Sequence, residues 1–85
     1  MTQRTILITG AGSGFGKGVA LELASRGHTV IATTETAEQA DELAAEHPEL
    51  TTMKLDVTSS DDVAQVADLG VEVLINNAGM GVMAP

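Results

Sequence analysis

The stretch Thr9-Gly10-Ala11-Gly12-Ser13-Gly14-Phe15-Gly16 sits between a short apolar run and a helix-forming segment, and few folds accommodate such a turn. The run before it, Thr5-Ile6-Leu7-Ile8-Thr9, is apolar without alternation, the pattern of a strand buried on both faces of a parallel sheet. After it, Phe15, Val19 and Leu23 recur with Ala20 and Ala24 at helical spacing, and Gly27 follows Arg26 as a stop; a helix over residues 14–26 is predicted. A strand that turns on glycines into a helix leaves backbone N–H groups at the helix start with no side chains in front of them, and a phosphate can approach there.

The rest of the chain repeats the strand-helix alternation. Thr29-Val30-Ile31-Ala32-Thr33 predicts a second strand. Thr36, with Gln39 three places on, forms a capping box that opens a helix over residues 37–46, closed by His47-Pro48. A third strand is predicted over 52–57, then a helix over 61–69 capped by Ser59 or Ser60 with acids in its first turn, then Gly70 and a fourth strand over 71–75. The order β-α-β-α-β-α-β with short connections implies a parallel sheet with right-handed crossovers, half of a doubly wound α/β fold with strand order 3-2-1-4. In that order the first two helices cover one sheet face and the third the other. The fourth strand still wants a following helix, so residues 1–85 are expected to be the N-terminal part of a single longer domain. The lone aromatic, Phe15, agrees with a core that is thin or partly missing.

Charge and composition narrow the partners. Four basic against 12 acidic residues give a net charge of −8, which disfavours nucleic acid and anionic membrane surfaces. There is no cysteine, and only His28 and His47 offer imidazole, so neither a disulfide nor a metal site is expected. The five-residue apolar run near the N-terminus is too short for a signal-peptide core or a membrane span, which makes the cytoplasm the default location.

Within the turn, Gly10 suits a tight exit from the strand, Gly14 lets a pyrophosphate reach the amides, and Gly16 lets the helix pack close to the sheet. The spacing is Gly-x-x-x-Gly-x-Gly; a Gly-x-Gly-x-x-Gly fingerprint would need glycine where Phe15 stands. A P-loop is excluded because Ala11 replaces its opening glycine and Gly18 stands where Ser or Thr must bind magnesium. About 20 residues on, Thr34 and Glu35 end the second strand, where a dinucleotide site needs an acceptor for the adenosine ribose hydroxyls. Glu35 suits a bare ribose diol and repels a 2′-phosphate, which favours NAD over NADP; it also reads as an ordinary exposed acid beside a helix. Asp56 ends the third strand on the same edge and reads either as an acceptor for the adenine amino group or as a turn and cap residue. Asn76-Asn77-Ala78-Gly79 ends the fourth strand beside the first, at the switch point of the sheet, where the asparagines can bond backbone across strands. His28 reads as a surface residue, and Glu38, Asp41, Glu42 and Glu46 as the solvated face of the second helix.

Taken together, these residues resemble the N-terminal part of the short-chain dehydrogenase/reductase family. Residues 9–16 fit its Thr-Gly-x-x-x-Gly-x-Gly motif, residues 76–79 are identical to its Asn-Asn-Ala-Gly motif, and Leu55-Asp56-Val57 is similar to its adenine-contacting strand end. The resemblance implies a Rossmann-type sheet holding NAD or NADP. It places Ser13, Gly14, Phe15 and Gly16 at the phosphates and ribose, Thr34 by the adenosine ribose, Asp56 and Val57 at adenine, and Asn77, Ala78 and Gly79 near the nicotinamide ribose; Gly10, Gly12 and Glu35 complete the expected cofactor-binding set. It further implies hydride transfer to or from a small alcohol or carbonyl substrate by a full-length, homo-oligomeric protein. The family's catalytic serine, tyrosine and lysine lie beyond the Asn-Asn-Ala-Gly motif, and this chain has no tyrosine, so it is expected to be inactive alone. Thr34 stands where NAD-preferring members often carry aspartate, and Glu35 where NADP-preferring members often carry arginine. Two rivals remain: an S-adenosylmethionine-dependent methyltransferase, because residues 10–14 also fit Gly-x-Gly-x-Gly, and a nicotinamide-nucleotide-binding module without catalysis.

Overall fold

In the computed structural model, residues 3–56 and 58–77 are described. Four strands form one parallel sheet in the order β3-β2-β1-β4: β1 (Thr5–Ile8), β2 (Thr29–Thr34), β3 (Thr51–Lys54) and β4 (Val73–Ile75). The connecting helices are α1 (Gly14–Ser25), α2 (Ala37–Glu46) and α3 (Ser60–Val66), the last running into a 3-10 turn at Ala67–Leu69. The predicted order of strands and helices is the observed one.

Alternate residues of the central strands serve two separate cores, as a parallel sheet covered on both faces requires. Ile6 and Ile8 of β1 with Val30 and Ala32 of β2 pack toward Ala20 of α1 and Leu43 of α2. Leu7 and Ile31 point the other way, onto Leu55 with Met53, Val66 and Val71. Leu74, paired with Leu7 in register, faces this second side and is 59% exposed, while Val66 of α3 packs on the cluster of Leu7, Ile31 and Leu55.

Three expectations change. The fully buried residues of α1 are Gly16 and Ala20, and Val19 and Leu23 pack against the same core, while Phe15, which heads their helical spacing, is 77% exposed. The third strand ends at Lys54 rather than 57. Leu55 N–H still donates to Thr34 O at 2.8 Å, but Asp56 N–H donates to the Asp62 carboxylate at 2.8 Å, so a side chain takes the donor that a longer ladder would use. The fourth strand begins at Val73 rather than 71, because the Glu72 carboxylate accepts from Thr5 N–H while Glu72 N–H donates to Thr5 O.

The helix signals behave as read. Thr36 and Gln39 form a complete capping box at α2, and of the two serines it is Ser59 that caps α3, accepting from Asp62 N–H. Gly70 adopts φ +69° and ends the 3-10 turn in the left-handed conformation expected of a stop.

Candidate functional site

All the residues singled out from the motifs that fall within the described part gather at the carboxyl edge of the sheet. Val57, Ala78 and Gly79 lie outside the described residues. The crevice of such a sheet lies beyond the carboxyl ends of the paired strands β1 and β4, with Ala20 of α1 packed on one face and Val66 of α3 on the other, the switch point at which ligands of open α/β sheets bind.

The glycine turn is built for close approach. Gly10 and Gly14 have φ of +65° and +61°, a left-handed backbone that L side chains rarely adopt. Gly16 is buried, and a Cβ there would stand 2.5 Å from both Gly10 O and Asn77 Nδ2, so the α1 backbone rests directly on the turn and on the end of β4. Ser13 is the N-cap residue, extended at φ −162°, and its side chain caps nothing. The first-turn N–H groups of α1 therefore keep no side-chain partner at the cap, and the positive end of the helix dipole faces the crevice.

Two hydroxyls and two side-chain amides hold this turn in place. Thr9, 3% exposed, accepts from Asn77 N–H at 2.8 Å and donates to Asn76 Oδ1 at 3.0 Å. Asn77 Nδ2 donates to Gly10 O at 3.2 Å, which ties the end of β4 to the first residue of the turn. Thr33 donates to Ile8 O, and Ala11 N–H donates to Thr33 O, so β2 fixes the far side. The Asn77 side chain thus bonds backbone across strands as expected, whereas the Asn76 side chain meets the Thr9 hydroxyl instead, a role for Thr9 that the sequence analysis does not assign. A buried threonine ending a strand just before the glycines was the available signal.

At the end of β2, Thr34 and Glu35 differ sharply. Thr34 is 2% exposed and its hydroxyl donates to Thr36 O at 2.7 Å, while its methyl group faces Gly12. Glu35 is exposed and has no ion-pair partner among the described residues. At the end of β3, Asp56 Oδ1 accepts from both the N–H and the hydroxyl of Thr58, the turn geometry that was one of its two readings. These bonds hold its carboxyl below the usual aspartate range, so the group is anionic at neutral pH. Asp62 is held low in the same way, first by Asp56 N–H and then by Lys54. Sequence reasoning missed this role of Asp62, which clamps the end of β3 from the first turn of α3.

Among the described residues there is no cluster of three or more groups able to hold a metal, and no helix is long and apolar enough to cross a membrane. The outward amides, the glycine cradle and the polar strand ends suit a phosphate-bearing nucleotide laid across the carboxyl edge.

Comparison with known proteins agrees with this geometry. The family model described as short chain dehydrogenase matches residues 4–85. The chain is similar to an NADPH-dependent pterin aldehyde reductase of Arabidopsis thaliana, 41% identical over 88 residues that cover 93% of this chain and 36% of that protein. Among solved structures, a short-chain dehydrogenase from Streptomyces avermitilis superposes with a TM-score of 0.77 at 39% identity, covering 92% of this chain and 31% of that one. A ketone-specific alcohol dehydrogenase from Comamonas testosteroni gives a TM-score of 0.74 at 34% identity, covering 99% and 39%. The chain thus spans about a third of the length of these relatives. None of these matches supports the methyltransferase reading, and the motifs that separate the two families, Gly16 and Asn76-Asn77, are the ones joined here around Gly10. By sequence, fold and the geometry of its glycine turn, this chain belongs to the short-chain dehydrogenase family.

Proposed function

We propose that residues 1–85 are the dinucleotide-holding part of an NAD(P)-dependent oxidoreductase whose full-length form moves a hydride between nicotinamide and an alcohol or carbonyl substrate. The observation that carries this is the uncapped start of α1, seated through Gly16 on Gly10 and Asn77 at the crevice beyond the carboxyl ends of β1 and β4. In this reading Gly10, Gly12, Ser13, Gly14, Phe15 and Gly16 present backbone to the pyrophosphate and adjoining ribose. Glu35, next to the buried Thr34, takes the adenosine ribose diol; Asp56 and Val57 border adenine; and Asn77, Ala78 and Gly79 border the nicotinamide ribose.

When bound, the nicotinamide ring supplies or accepts the hydride. The residues present bind and orient: Thr9 and Asn77 fix the crevice, and the anionic Asp56 keeps its second carboxylate oxygen for a donor such as an amino group. Acid-base chemistry belongs to residues outside this chain, which has no tyrosine.

Glu35 favours NAD over NADP, since an exposed carboxylate accepts from a ribose diol and repels a phosphate. The Arabidopsis relative is described as NADPH-dependent, so the two cofactors need direct comparison. The same reading takes the full-length protein as cytoplasmic and homo-oligomeric. Calorimetric titration of the full-length protein with NAD and NADP, followed by turnover of simple alcohols and ketones read at the reduced-nicotinamide absorbance, tests it. Binding with turnover supports the enzyme; binding without turnover leaves a non-catalytic nucleotide-binding module; no binding of either cofactor refutes both.

A further inference from the structure

An open cleft of about 500 Å³ lies between the glycine turn and α2, lined chiefly by Gly12, Ser13, Lys17, Gln39, Glu42 and Glu46. Its turn side adjoins the end of β2, because a Cβ on Gly12 would stand 3.4 Å from the Thr34 methyl carbon. On the dinucleotide reading above, that is where the adenosine ribose rests.

The charges in this cleft are unbalanced. Lys17 is the one cation among the residues lining it, and its ammonium is 3.0 Å from Glu46 Oε1. The lysine holds the Glu46 carboxyl below its usual range, so that carboxyl is anionic at neutral pH. Glu42 adds a second carboxylate, and Glu35 stands exposed beside Thr34. Lys17 lies one helical turn beyond Ser13, a spacing that puts both on one face of α1, and its four-carbon stem gives the ammonium freedom to turn toward the β2 end. Its ion pair with α2 holds it elsewhere.

We infer that the Lys17–Glu46 ion pair, together with Glu42, sets cofactor choice by withholding the one nearby cation from a 2′-phosphate, so that the cleft selects an adenosine ribose without that phosphate. The two carboxylates oppose the incoming dianion directly, and Lys17 can answer it only by leaving Glu46. This selectivity rests on the dinucleotide reading and extends it to residues on α2 that do not end a strand.

The test uses the full-length protein and two probes, 5′-ADP and 2′,5′-ADP, titrated calorimetrically at fixed low salt. The wild type is expected to prefer 5′-ADP. In Glu46→Gln, whose side chain is 61% exposed and so replaceable without disturbing a core, the ratio of the two Kd values is expected to move about tenfold toward 2′,5′-ADP. In the double variant K17Q/E46Q that shift is expected to vanish. An unchanged ratio in E46Q, a shift that persists without Lys17, or a wild type that prefers 2′,5′-ADP overturns the selectivity device while leaving nucleotide binding intact. Failure of every protein to bind either probe overturns the dinucleotide reading and this inference with it.

Discussion

Replacing Gly16 by alanine tests the geometry on which the nucleotide reading depends. The added methyl group would meet Gly10 O and Asn77 Nδ2 at 2.5 Å, and the first of these is backbone held in a turn that cannot rotate away. Relieving such an overlap costs about 1–3 kcal/mol. Losing the Asn77–Gly10 hydrogen bond that occupies the same space costs about 1 kcal/mol more. Alanine returns roughly 0.5–1 kcal/mol of helix propensity, so the net destabilisation is expected to be about 2 kcal/mol. Because the overlap pushes α1 away from the turn, dinucleotide affinity should fall at least about tenfold as the first-turn amides leave their positions. Two other glycines serve as controls in the same helix and turn. Gly18 is helical, with nothing within 4 Å of a Cβ, and Gly18→Ala is expected to stabilise by about 0.5–1 kcal/mol. Gly12→Ala makes only an ordinary contact with Thr34 and is expected to leave stability within about 0.5 kcal/mol while weakening dinucleotide binding at the mouth of the cleft. Urea midpoints and calorimetric titration of the full-length protein read all three. A Gly16→Ala variant as stable and as tight-binding as the wild type, or a Gly18→Ala variant equally damaged, would refute the reasoning.

Thr9→Val keeps the shape and removes the hydroxyl that serves both asparagines, leaving Asn77 N–H without that acceptor; a loss of about 1–3 kcal/mol in urea unfolding is expected, with Thr9→Ser nearer the wild type. Thr36→Ala dismantles the capping box of α2 and should cost about 1 kcal/mol, measured in the same way. Acid should destabilise the fold: Glu46, Asp56 and Asp62 all have carboxyls held below their usual range, so their contribution is complete above the ordinary carboxylate pKa and is lost as pH falls below about 4, and Asp62→Asn should flatten that decline in a pH series of thermal melts. The 85-residue chain expressed alone is expected to be marginal or prone to associate, since Phe15, Val63, Leu69 and Leu74 are exposed; a cooperative, high-temperature melt of a monomer by calorimetry would contradict this.

What could be read from the sequence is what is local. A continuous apolar run, glycines at a strand exit and the Thr36–Gln39 box each specify their own few residues, and the resulting order of strands and helices then leaves little choice of topology. Boundaries were less legible wherever a distant side chain competes for a backbone donor: Asp62 takes Asp56 N–H and shortens β3, and Glu72 takes Thr5 N–H and delays β4. The same division runs through the site. The glycine turn announces a phosphate cradle because glycine's effect is confined to its own backbone. The parts that hold the cradle rigid, Thr9 to Asn77 across 68 residues and Lys17 to Glu46 across 29, join positions that only the folded sheet brings together. The sequence could assign Glu42 and Glu46 to a solvated helix face, and they are exposed; that this face also forms one wall of the cleft beside Gly12 depends on how α2 packs against the sheet. Cofactor class therefore follows from a motif, whereas cofactor choice is expected to follow from charges that tertiary structure gathers. On the proposed selectivity, a strand-end residue alone would be an incomplete predictor of NAD against NADP in this chain: Thr34, at the strand-end position, has turned its hydroxyl inward to Thr36, and the proposal gives the discrimination to the carboxylates around it.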